Sequence, residues 1–221
     1  MNTLIIGASR GIGLEFVRQY RTAGAAVTAT ARSDDALATL RKLGATALAL
    51  DVASAESASR LAWQIDGAAF DVVVICAGLY GPRTTGLQPP SEADFNAVMH
   101  TNVLGPMRVI PQLSDVLAPG AKLVVLSSHM GSIGSRSSSS GWLYRASKAA
   151  VNSVLKDASL ALAGQAICVS FHPGWVRTEM GGAGAQLEVS DSVAQMRQVI
   201  AALGPKDNGC FLNHDGTPIA W

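Results

Sequence analysis

Aromatic residues are scarce in this chain, at 5% of the sequence, and charged residues make up only 15%. With 48% hydrophobic residues, that low charge excludes a disordered chain, which needs weak hydrophobicity and strong self-repulsion. Basic residues number 17 and acidic residues 16, so no positive surplus is available for a nucleic-acid face. Cys76, Cys168 and Cys210 are isolated from one another and from histidine at ligand spacing, which leaves no basis for a disulfide framework or a zinc site. They are expected to pack as small apolar groups in a reducing compartment. No apolar run is long enough to cross a bilayer, and Met1 to Ile6 reaches glycine too soon for a signal peptide. A soluble, cytoplasmic protein with no metal, nucleic-acid partner or membrane association is therefore expected. At 221 residues, one domain over 1–221 is expected, because α/β folds of this length commonly share one core.

What the chain has in quantity is glycine, 22 residues, set between short apolar runs. Thr3 to Ile6 reads as a strand, and Gly7, Gly11 and Gly13 lead into a helical pattern of Leu14, Phe16, Val17 and Tyr20. A glycine turn between strand and helix lets the backbone approach a pyrophosphate, where free N–H groups and the helix dipole favour anions. The same residues satisfy G-x-S-x-G, the nucleophile elbow of hydrolases. That motif belongs after several strands and before an acid and a histidine in motif context, which this chain lacks. Ala26 to Ala31 reads as a second strand delivering Arg32, with Ser33 as the cap of a helix through Lys42. Arg10 and Arg32, with no carboxylate at that strand tip, favour NADP(H) over NAD(H); otherwise both are solvated surface charges.

Further strands are expected at Thr46 to Leu50, ending at Asp51, then at Val72 to Ile75, Lys122 to Leu126, Ala166 to Phe171 and Cys210 to Leu212. Helices are expected over Ser54 to Gln64, with Leu61 and Trp63 among its apolar positions, after Ser91, over Asn102 to Leu113, and from Trp142 onward. This alternation predicts an α/β fold, a single Rossmann-type doubly wound parallel sheet of about seven strands with helices on both faces. Ligands of such sheets bind beyond the carboxyl ends of the strands, where Gly7, Arg32, Asp51, Gly78 and Ser128 all fall.

Tyr144 and Lys148 stand four apart on the predicted helix, so phenol and ammonium address one small volume. An adjacent cation lowers a phenol's pKa from its ordinary value of about 10, and the pair suits general acid–base work. Roughly 0.07 such pairs are expected by chance in a chain of this composition, so the spacing needs corroboration.

The order Gly7-x-x-x-Gly11-x-Gly13, Asp51, Ala77-Gly78, Asn102, Ser128, Tyr144-x-x-x-Lys148 and Pro173-Gly174 resembles the short-chain dehydrogenase/reductases over essentially the whole chain. His100 to Pro106, Met130 to Gly134 and Asp215-Gly216 are similar to its C-factor-like branch. The resemblance implies that Tyr144 exchanges a proton with a carbonyl or alcohol oxygen as hydride passes to or from a nicotinamide. It implies that Lys148 lowers the phenol's pKa and binds the ribose, that Ser128 orients the substrate oxygen, and that Asn102 holds a water linking Lys148 to solvent. Taken singly, Ser128 reads as a turn cap and Asn102 as a helix N-cap. The resemblance further places Gly7, Ser9, Arg10, Gly11, Ile12, Gly13, Arg32, Asp51, Val52, Ala77 and Gly78 about the cofactor. It adds Tyr144, Lys148, Pro173, Gly174, Val176 and Thr178 at its nicotinamide end.

Ile6 replaces the family's usual Thr and Ile75-Cys76 an Asn-Asn pair. Glu179 to Val189 falls at the family's substrate loop, and His129, Met130, Trp142 and Trp175 are expected as pocket walls. The implied activity is reduction of a small ketone or aldehyde, or the reverse alcohol oxidation. A C-factor-like signalling protein that binds NAD(P) with little turnover is the alternative. Ser128 lies sixteen positions before Tyr144. The excess over the family's spacing falls in Gly134 to Gly141, read here as a loop at the site mouth. Ala146, Ala149, Ala150, Ser153 and Ala158 permit close helix packing, and the family implies a homodimer through this region.

Overall fold

The computed structural model describes all 221 residues. Seven strands form one parallel sheet in the order β3-β2-β1-β4-β5-β6-β7. They are β1 (Asn2–Ile6), β2 (Ala26–Ala31), β3 (Thr46–Ala49), β4 (Phe70–Ile75), β5 (Leu117–Leu126), β6 (Ala166–His172) and β7 (Cys210–Asn213). The helices are α1 (Gly11–Thr22), α2 (Asp34–Lys42), α3 (Ala55–Ser59), α4 (Leu61–Gln64), α5 (Glu92–Met99), α6 (Gly105–Val109), α7 (Trp142–Ala161) and α8 (Val189–Ala202). Consecutive residues of β1 enter opposite cores: Ile5 packs with Phe16, Val17 and Met196, whereas Leu4 and Ile6 pack with Leu61, Leu113 and Leu155. Both faces are covered, which is why the central strands are continuous apolar runs without polar alternation. Each such side chain, once buried, contributes about 1.5–3 kcal/mol.

The strand order reverses between β1 and β4, which pair directly from Thr3↔Val72 to Ile6↔Ile75. The loops leaving these two strands diverge there and open a crevice at the carboxyl edge. Ile6 and Cys76, which depart from the family's usual pattern, are joined by the backbone instead. The Cys76 and Ala77 amides donate to the Ile6 carbonyl at 2.8 and 3.1 Å.

Three expectations are corrected. Ser54 to Gln64 is two short helices interrupted at Arg60, and Trp63 is 69% exposed and takes no part in the core. No helix begins at Asn102. The chain continues from α5 through a π turn (His100–Leu104) into α6 and a 3-10 segment (Ile110–Val116), so Asn102 is no N-cap. Finally, β5 starts at Leu117, five residues before Lys122, with a register shift where it pairs with β4. No helix is long and apolar enough to cross a membrane, and no group of three or more His, Cys, Asp or Glu side chains is placed to hold a metal ion.

Candidate active site

The crevice at the strand reversal is a cleft of about 460 Å³ running from Arg32 at the β2 tip to Tyr144 and Lys148 on α7. Its near end is built by the glycine turn. Gly7 has φ +86°, and a Cβ there would lie 2.6 Å from the Ala77 amide nitrogen; at Gly13 a Cβ would run into the Gly7 carbonyl oxygen. The turn can therefore close only on glycine. The N-cap Arg10 makes no side-chain cap and the first turn of α1 holds no acid, while Gly11, Ile12 and Gly13 line the cleft. An uncapped helix start facing a cleft suits a pyrophosphate. Ser9, Arg10, Arg32 and Ser33 outline a more open depression beyond it.

Of the residues assigned to a cofactor, Asp51, Val52, Ala77, Gly78, Pro173 and Thr178 also line the cleft. Gly174 and Val176 stand back from it. A Cβ on Gly174 would meet Leu187 and His214, and Val176 is buried and bridged to Leu187. Glu179 and Met180, the first residues of the expected substrate loop, line the cleft, and the Glu179 carboxylate pairs with Arg10. His129, Met130, Trp142 and Trp175 do not reach the cleft lining. His129 and Trp175 are exposed, with the Trp175 indole donating to the Gly181 carbonyl at 2.9 Å, whereas Met130 and Trp142 are half-buried.

At the far end the Lys148 Nζ donates to the Leu126 carbonyl at 2.8 Å and lies 5.6 Å from the Tyr144 ring centre. Burial pushes the Lys148 ammonium down to about 8, partly opposed by Cys76. Burial likewise pushes the Tyr144 phenol up to about 12; the Ser128 side chain beside it acts downward and Tyr80 upward. The expected lowering of the phenol is thus reversed in the protein alone, because desolvation of a side chain only 7% exposed outweighs its neighbours. Ser128 caps the following 3-10 turn (His129–Gly131), its Oγ accepting from the Met130 amide at 3.1 Å.

Asn102 is 1% exposed and uses three of its four hydrogen-bonding positions. Its Oδ1 accepts from the Leu79 amide at 2.8 Å, and its Nδ2 donates to the Leu79 carbonyl at 2.8 Å and to Ser147 Oγ at 3.0 Å. The side chain braces the loop after β4 against α7. A Cβ on Gly78 would stand 3.4 Å from both Asn102 Oδ1 and Lys148 Nζ, so the loop after β4 meets both side chains at this point.

A parallel sheet with its reversal point at a glycine turn, an uncapped helix and a buried Tyr–Lys pair defines a dinucleotide-binding α/β protein. Residues 1–187 match the family model described as short chain dehydrogenase. The chain belongs to that family and is an NAD(P)-dependent oxidoreductase. It is 36% identical over 154 residues to the C-signal protein of Myxococcus xanthus, covering 68% of this chain and 92% of that one. A short-chain dehydrogenase/reductase from Burkholderia multivorans with bound NADP superposes with a TM-score of 0.91 at 31% identity, covering 100% and 99% of the two chains. The carbonyl reductase Sniffer of D. melanogaster does so at 0.90 and 30% identity, with coverage of 100% and 99%.

Proposed function

We propose that the protein is an NADPH-dependent reductase of small ketones or aldehydes, acting through one domain that holds cofactor and substrate together. The observation that carries this reading is the placement of Tyr144 and Lys148 at the far end of the cleft that the glycine turn begins. When bound, the nicotinamide supplies hydride. Tyr144 donates the proton to the substrate oxygen, and the Lys148 ammonium beside it eases that transfer by stabilising the phenolate that is left. Ser128 orients that oxygen through its hydroxyl. Lys148 binds the ribose and provides the positive charge that a phenolate requires after transfer. Asn102 keeps the Leu79 backbone and α7 in register about Lys148, and proton return to Tyr144 runs past this side chain. The uncapped start of α1 holds the pyrophosphate, and Arg10 and Arg32 face a 2′-phosphate.

The similarity to the Myxococcus C-signal favours a second reading, a nucleotide-binding signalling protein with little turnover. It requires no proton donor, whereas Tyr144 and Lys148 line the cleft and Ser128 and Asn102 are buried behind that lining. Titration with NADPH and NADH followed by a screen of carbonyl substrates separates the two. Tighter NADPH binding with carbonyl-dependent oxidation supports the reductase. NADH binding without NADPH binding overturns the roles of Arg10 and Arg32, and cofactor binding without turnover favours signalling.

A cytoplasmic homodimer completes the proposal. Ala146 and Ser153 on α7 are exposed and available to a second copy, but Ala158 is buried in the chain's own core and is not. Light scattering at twice the monomer mass supports the dimer; the monomer mass refutes it.

A further inference from the structure

The loop after β4 carries an aromatic group to which the cofactor roles assign nothing. The Tyr80 ring stacks on that of Tyr144 with centres 4.5 Å apart and planes inclined by 23°. Stacking at that distance fills one face of Tyr80. The other is left to the Arg83 guanidinium, whose carbon lies 4.8 Å from the ring centre. Arg83 is itself tethered, its Nη2 donating to the Met180 carbonyl at 2.8 Å across the cleft mouth. The start of α7 is tied to the same loop, because the Gly141 amide donates to the Thr84 carbonyl at 3.1 Å. Gly141 has φ +65°, and a Cβ there would stand 2.6 Å from the Tyr80 hydroxyl. Glycine at this position therefore accommodates the Tyr80 ring three residues before Tyr144.

A ring covered on both faces has none left on which to stack a substrate. We propose that Tyr80 is a positioning residue: clamped between Arg83 and Tyr144, its ring fixes the plane of the Tyr144 phenol against the substrate oxygen. The proposal rests on Tyr144 being the proton donor. A donor misplaced by about 1 Å loses up to a hundredfold in rate. Tyr80 is the one aromatic ring that stacks on Tyr144, and the Lys148 ammonium is held apart from the phenol on the Leu126 carbonyl.

The test is steady-state kinetics with a carbonyl substrate found by the screen, beside NADPH titration, for Tyr80→Ala, Tyr80→Leu, Tyr80→Phe and Tyr144→Phe. Tyr80→Leu keeps most of the volume without the ring, so the test survives if the alanine variant does not fold. Removing the ring is expected to lower kcat about tenfold while KM and the NADPH Kd stay within about threefold. Tyr80→Phe is expected to restore at least about half of kcat, because the ring and not the hydroxyl makes the stack. Unchanged kcat in the alanine and leucine variants overturns the proposal. So does a phenylalanine variant as slow as alanine, or a rise in KM in place of the fall in kcat. Loss of turnover in Tyr144→Phe with none in the Tyr80 variants sinks this proposal alone, whereas full turnover in Tyr144→Phe sinks the reading on which it rests.

Discussion

Replacing Gly131 with alanine drives the 3-10 turn that follows Ser128 away from the helix that carries Lys148. A Cβ at position 131 would lie 2.8 Å from the Lys148 carbonyl carbon and 2.9 Å from both its Cβ and its carbonyl oxygen. Carbon atoms rest about 3.5–4.0 Å apart, so turn and helix must separate by roughly 0.7–1.2 Å. Backbone atoms on both sides leave no flexible side chain to yield. Forcing a methyl group into such packing costs about 1–3 kcal/mol, which lowers Tm by roughly 2–12 °C for a chain of this length. Ser128 and Lys148 sit on opposite sides of the forced contact, so their spacing changes with it. A shift of about 1 Å in a reacting constellation costs up to a hundredfold in rate. Thermal unfolding and kcat are measured together, with Gly204→Ala as the control, because a Cβ there meets nothing nearer than 3.9 Å. A Gly131→Ala protein matching the control in Tm to about 1 °C and retaining kcat would falsify the packing described here.

Three further outcomes are expected. Glu179→Gln frees Arg10 and should tighten NADPH binding by up to about fivefold, the ceiling for an exposed ion pair, while NADH binding changes less; equal shifts for both cofactors contradict a phosphate role for Arg10. Burial, with His129 and His214 beside it, pushes His172 down to about 4 from its ordinary 6.5, and its Nδ1 has no partner. The unfolded chain therefore binds the proton first, and stability should fall as pH drops from 6.5 toward 4, by at most about 3 kcal/mol. In a His172→Asn protein, urea melts across that range should show a weaker pH dependence; an unchanged slope excludes His172 as its source. Shortening the 134–141 loop, exposed from 134 to 140, should alter carbonyl preference before NADPH affinity, and equal loss of both in turnover and titration assays would place the loop elsewhere.

The sheet and the glycine turn were legible in the sequence because strands covered on both faces must be apolar throughout and because Gly7 and Gly13 approach backbone too closely for any Cβ. Ser33, Ser54 and Ser91 marked helix starts through local hydrogen bonds that each makes in the structure. The π turn at Asn102 was not legible, since it depends on contacts with Leu79 and Ser147, 23 and 45 residues away. Nor was the direction of the Tyr144 shift, because the Tyr–Lys spacing reports a neighbouring charge but not how deeply both are buried. Tyr80 gave no signal at all: its partners Arg83, Met180 and Tyr144 converge only in the folded chain. The α8 helix was within reach, through Val189, Val193, Met196 and Ile200 at helical spacing.

Exchange of Tyr144 for phenylalanine is the most direct test of the central claim. The ring and its stack on Tyr80 are kept, and the hydroxyl that carries the proton is removed. With the purified protein, NADPH and a panel of ketones and aldehydes, turnover should fall by at least about a hundredfold while NADPH still binds within about threefold of the parent chain. Carbonyl-dependent oxidation of NADPH that continues at the parent rate would contradict the assignment of Tyr144 as the proton donor, and with it the reductase mechanism drawn here.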